Sequence, residues 1–128
     1  MVRKLKEFFP ARQNVMMAFL FGSQVTGKTF AESDVDIAVY YFQDPSPEEI
    51  YRLWEKLEDC LKKGVDLVVL NTASVTLAWE AIRGVPLLLR DDEFYLEYML
   101  QVSNEAEDFQ EFLFDLWRWR EEVRAERG

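Results

Sequence analysis

Apolar residues recur along this chain with two different spacings. Val15 to Phe21 is an unbroken apolar run of strand length, and Val35 to Phe42 is a second run rich in β-branched and aromatic residues. Val65 to Leu70 and Val85 to Leu89 read as third and fourth strands; Pro86, which has no N–H to give a ladder, marks the last as an edge. Elsewhere the spacing changes to three and four. Ile50, Leu53, Trp54, Leu57, Cys60 and Leu61 fall on one face of a helix. Ser46 is placed to cap that helix, Pro47 to open it and Glu49 to complete a capping box, while Gly64 after Lys62-Lys63 reads as its stop. Val2 to Phe9 predicts a short amphipathic helix ended by Pro10, and Ser74 to Arg83 a helix closed by Gly84. From about Asp92 onward no proline or glycine occurs before Gly128, so one long helix or two joined helices are expected. The order strand, strand, helix, strand, helix, strand predicts an α/β (α+β) fold: a small mixed sheet of about four strands with flanking helices.

A length of 128 residues suits one compact domain, with a core over about residues 10–90 and a C-terminal helical segment over about 92–128. No repeat, low-complexity tract or flexible linker interrupts it. A single cysteine, Cys60, excludes an internal disulfide. No signal-peptide pattern opens the chain and no apolar run approaches the roughly 18 residues that span a bilayer, so a cytoplasmic location is expected. The balance of 24 acidic to 15 basic residues gives a formal charge of −9, which repels a long nucleic acid. Histidine is absent altogether. That leaves carboxylates as the main candidates for proton transfer and metal binding, and a hard ion such as magnesium or manganese as the metal.

Asp34 and Asp36 stand two apart at the start of the second strand, so both carboxylates project to the same side. Asp66 interrupts the apolar run Val65-Asp-Leu-Val-Val-Leu70, where a charge is costly unless it is paired or holds a metal. A neighbouring strand would set it beside the pair. Three carboxylates can share two magnesium ions roughly 3.5 to 4 Å apart, with substrate phosphate completing the coordination. Asp66, the least tied to the pair, is the candidate general base. Upstream, a strand ending in Gly22-Ser23 lets the backbone approach a phosphate, and the serine hydroxyl adds a donor.

Gly22-Ser-Gln-Val-Thr-Gly-Lys-Thr29 also matches the P-loop pattern. Its context argues against that reading. A P-loop lysine opens a long crossover helix, whereas only Phe30 to Ser33 separate Thr29 from Asp34, and a parallel crossover needs about a dozen residues or more.

Gly22-Ser23, then Asp34-Val-Asp36, then a later strand bearing Asp66, resembles the DNA polymerase beta superfamily of nucleotidyltransferases. More narrowly the chain resembles the minimal nucleotidyltransferases of prokaryotes, whose small domain is often encoded beside a HEPN-domain toxin. The likeness covers roughly Val15 to Leu70 in its motifs and the whole chain in size and element order. It implies a nucleotidyltransferase fold in which Gly22 and Ser23 contact the triphosphate, and Asp34, Asp36 and Asp66 are the catalytic and metal-binding carboxylates. It further implies two Mg2+ ions, with Mn2+ as an alternative, and ATP as substrate. The activity implied is that of an antitoxin which transfers AMP to a tyrosine of a HEPN toxin partner. Many relatives carry a basic residue just before the second glycine; here Thr26 stands there and Lys28 follows Gly27, so Lys28 is the candidate phosphate contact. Two alternatives remain: transfer to a small aminoglycoside-like molecule, and an inactive antitoxin that neutralises by contact alone.

Cys60, Trp54 and Trp79 read as core residues with no chemistry of their own. Phe109, Phe112, Leu113, Leu116 and Trp117 form an apolar stripe that Phe114 and Trp119 extend around the C-terminal helix. This exceeds what one packed face needs and points to a partner interface there. The acidic stretch from Asn104 to Glu111 would suit a basic partner.

Overall fold

The computed structural model describes residues 1–22, 34–105 and 109–127, with side chains omitted at 109–115 and 126–127. Helix α1 (Val2–Phe8) passes into a 3-10 turn at Phe9–Ala11, where Pro10 ends it as expected. Strand β1 (Val15–Phe21) is followed by β2 (Val35–Tyr41), α2 (Pro47–Leu61), β3 (Val65–Val69), α3 (Val75–Ile82), β4 (Val85–Leu89), α4 (Asp92–Glu105) and α5 (Phe109–Arg127). The C-terminal segment is thus two helices. Among the described residues no helix is long and apolar enough to cross a membrane.

The four strands form one sheet in the order β3-β2-β1-β4. β1 runs antiparallel to both β2 and β4, and β2 runs parallel to β3 through the α2 crossover. The sheet is mixed, and β4 with Pro86 is an edge. Antiparallel pairing of β1 with β2 also excludes the strand, helix, parallel-strand unit that a P-loop requires.

Alternation along the strands divides the core in two. Leu20, Val35, Ile37, Val39, Val65 and Leu67 face α1 and α2, where they bury Leu5, Phe9, Leu53 and Leu57. Met17, Phe19, Phe21 and Ala38 face α3 and α4, against Trp79, Ile82, Tyr95 and Val102. A register shift between Val15 and Met17 turns Val15 to the α1–α2 side, against simple alternation. Trp54 packs on the first cluster and Trp79 is buried in the second, as expected, whereas Cys60 is only half-buried.

Helix α2 opens as its sequence dictates: Ser46 Oγ accepts the Glu49 N–H at 3.1 Å and Pro47 is first in the helix. The other half of the expected capping box is replaced, because the Glu49 carboxylate accepts from Asn14 Nδ2 at 3.0 Å. The stop differs too. Lys62, not Gly64, adopts the left-handed conformation, at φ 56°, and its N–H bonds Glu58 O at 2.8 Å. At the far end of β2, the Asn71 carboxamide takes the place of a strand residue: Tyr41 N–H donates to its Oδ1 at 2.9 Å and its Nδ2 donates to Tyr41 O at 3.0 Å.

Candidate active site

The site stands where β1 ends and β2 begins. In register, Asp36 lies between Phe21 of β1 and Asp66 of β3, so Asp36 and Asp66 are parallel neighbours on the α3 side of the sheet. Asp34 immediately precedes β2, two residues from Asp36. Asp36 is half-buried, while Asp34 and Asp66 are exposed.

Two glycines make room for these carboxylates. Gly22 has φ +79°, a conformation that other residues adopt only at a cost, and a Cβ there would collide with Asp36 Oδ2. A Cβ on Gly64 would collide with Asp34 Oδ1. The residue expected only to stop α2 therefore gives Asp34 its place. Its signal in the sequence is its position one residue before β3, opposite the residue one before β2, a pairing visible only once the strands are known to be parallel neighbours.

Phe21, Gly22, Asp36, Asp66, Leu77 and Glu80 are among the residues around a cleft of about 490 Å³. Asp34 does not line it; its carboxylate rests against Gly64. Glu80, on α3, adds a carboxylate that sequence reasoning missed, since an exposed glutamate on a short helix carries no distinguishing pattern. Burial first, then the charges of Asp66, Asp34 and Glu80, hold the Asp36 carboxyl above its usual range. Ser23 and Lys28, the other expected phosphate contacts, lie outside the described residues.

Among the described residues, no three carboxylate or thiol groups are gathered closely enough to hold an ion unaided. The donor set still fits a hard divalent cation. Every donor is a carboxylate oxygen, burial and then mutual repulsion already disfavour charge on Asp36, and Gly22 is exposed at the cleft. Magnesium takes few protein ligands and completes its shell with phosphate and water, so ligands split between protein and substrate match this open arrangement.

The family model of the polymerase beta nucleotidyltransferase domain matches residues 3–94. The chain belongs to that family. Among relatives of this nucleotidyltransferase, the protein adenylyltransferase MntA of Shewanella oneidensis is 27% identical over 130 residues, covering 99% of this chain and 91% of the relative. A crystal structure of a mutant MntA–HpeT toxin–antitoxin has a TM-score of 0.69 at 24% identity and covers 91% of this chain and 98% of its own. A crystal structure of a toxin–antitoxin with AMP-PNP has a TM-score of 0.65 at 26% identity, over 89% of this chain and 98% of its own. The four-stranded mixed sheet with its flanking helices is therefore the nucleotidyltransferase fold expected from the motifs.

Proposed function

We propose that this nucleotidyltransferase transfers AMP from ATP to a tyrosine hydroxyl of a HEPN-domain toxin and thereby acts as its antitoxin. The observation that carries the reading is the register of Asp36 against Asp66 beside the exposed Gly22 at the cleft. The adenylyltransferase relative and the toxin–antitoxin structures support a protein acceptor over a small hydroxylated molecule.

In the reaction the acceptor oxygen attacks the α-phosphorus. A new phosphorus–oxygen bond forms, the bond from that phosphorus to the bridging oxygen breaks, and pyrophosphate departs. Asp66, exposed in the cleft, accepts the acceptor proton. Gly22 admits the triphosphate to the end of β1, with Ser23 and Lys28 assigned as further phosphate contacts. Asp34, Asp36 and Asp66 would hold two magnesium ions, or manganese, which supply charge neutralisation at the phosphates and a lowered pKa for the attacking hydroxyl. Trp117 at 65% and Trp119 at 41% exposure leave apolar surface on α5, and this is the face assigned to the toxin. The side chains of Phe109, Phe112, Leu113 and Phe114 lie outside those described.

The test is incubation of the purified protein with magnesium and each labelled nucleoside triphosphate, with and without a HEPN partner, followed by intact mass. A gain of one or more AMP units on the partner, absent with Asp34→Ala plus Asp36→Ala, is expected. Neutralisation of the toxin that survives this double change, with no label transferred, would replace the reading by a contact-only antitoxin.

A further inference from the structure

A second cavity lies at the opposite end of β1 and β2 from the carboxylates. Arg12, Asn14, Tyr41, Glu49, Arg52 and Lys56 are among the residues lining its roughly 150 Å³. Val15 begins β1 and Tyr41 ends β2, so the length of a seven-residue strand, roughly 20 Å, separates this cavity from Gly22 and Asp36. Its walls carry three cations and one carboxylate in a chain whose formal charge is −9.

None of these cations is in an ion pair among the described residues, where the ion pairs are Arg3 with Glu7 and Arg124 with Glu121. The Arg12 guanidinium lies 4.2 Å from the Phe8 ring centroid, yet its Nε is buried without a hydrogen-bond partner. The Tyr41 hydroxyl is likewise buried and unpartnered, on a residue only 1% exposed. Burial and then the charge of Glu49, another wall of the cavity, push this phenol up to about 12, so it keeps its proton at neutral pH. Glu49 is itself engaged by Asn14 Nδ2.

A buried donor left without an acceptor is destabilising. Water in the cavity would meet that demand, and it hydrates the exposed Arg52 and Lys56, but it brings no charge to balance the three cations. An oxyanion meets both, because guanidinium, ammonium and hydroxyl groups all donate to phosphate oxygens. The volume is well below the roughly 300 Å³ of a site for a drug-sized ligand, which excludes a whole nucleotide.

We infer that this cavity binds a small oxyanion of the inorganic phosphate class, held by Arg12, Arg52 and Lys56 with the Tyr41 hydroxyl donating to it. The inference does not depend on the proposed transfer activity. It is tested by thermal unfolding of the full chain in EDTA, titrated with inorganic phosphate, pyrophosphate, acetate or chloride at matched ionic strength. A saturable rise in melting temperature is expected with phosphate or pyrophosphate and not with acetate or chloride. Arg52→Gln with Lys56→Gln, both exposed positions, should abolish it. Tyr41→Phe should weaken the apparent affinity about tenfold, and Asp34→Ala with Asp36→Ala should leave it unchanged. A rise no greater than chloride gives, or one retained by the Arg52 and Lys56 double variant, overturns the site. Equal stabilisation by acetate overturns the phosphate class, and an unaltered affinity in Tyr41→Phe removes the hydroxyl from it.

Discussion

The two faces of β2 make a sharp contrast. On one, Val35, Ile37 and Val39 are wholly buried beneath α1 and α2. On the other, Asp36 stands half-buried at the rim of an open cleft, with Asp34 two residues before it and Asp66 across the ladder. Because side chains alternate, Asp36 shares its face with Ala38 and Tyr40, which pack into the second core cluster farther along the strand, while the candidate carboxylate itself belongs to neither cluster. The apolar face can therefore stabilise the strand while the acidic face stays strained by repulsion among like charges. Stability and function should be separable by mutation here to a degree unusual for groups so close together.

The largest expected effect is on the acidic face. Asp36→Asn should lower nucleotidyl transfer by roughly three orders of magnitude, the scale of a lost metal ligand. The denaturant midpoint should stay level or rise, since one repelling charge disappears; a large fall in stability would end the separation. Leu57→Ala tests the other face. Leu57 is fully buried, so the change should cost about 2–5 kcal/mol in urea unfolding while activity per folded molecule is retained. Gly64→Ala sharpens the contrast, because its Cβ must displace the Asp34 carboxylate without entering either core cluster. Transfer should drop by up to about a hundredfold, as for a catalytic group moved by an ångström, with a far smaller change in stability.

The smallest effect is in the pH dependence of the metal-free protein. Asp36 is held above its ordinary 3.8 by burial and by Asp66, Asp34 and Glu80. The native state therefore binds the proton more tightly than the unfolded chain does. The stability this contributes is fully present below the ordinary value and is lost as pH rises through the raised one. Urea unfolding in EDTA should show that decline in the wild type and a flatter profile in Asp36→Asn.

Much of this was legible in the sequence because it is local. Run length and composition place the strands, the Ser46-Pro47 start places α2, and Pro86 marks the edge. Alternation alone predicts a shared face for Asp34 and Asp36, but Asp34 stands just ahead of the strand and rests against Gly64, and of the two only Asp36 lines the cleft. What could not be read depends on partners distant in the chain. That a neighbouring strand would set Asp66 beside the pair was expected, but its residue-for-residue register on Asp36 is decided by how the α2 crossover lays β3 beside β2, and Glu80 joins the cleft only because α3 packs back over the sheet. Gly64 misled for a related reason: a glycine after two lysines reads as a helix stop, yet Lys62 itself tolerates the left-handed turn, and the missing Cβ serves Asp34 instead. The diversion of Glu49 to Asn14 is equally non-local, since a residue ahead of β1 competes for the side chain that would have closed the capping box.

Asn71 gives the last residue of β2 an unusual dependence. Both backbone groups of Tyr41 are satisfied by that one carboxamide. The Tyr41 amide proton can exchange with solvent when that side chain swings away, without any ladder bond between strands breaking. Its exchange lifetime thus clocks the opening of a single amide clamp, at a point where the sheet itself could remain fully zipped.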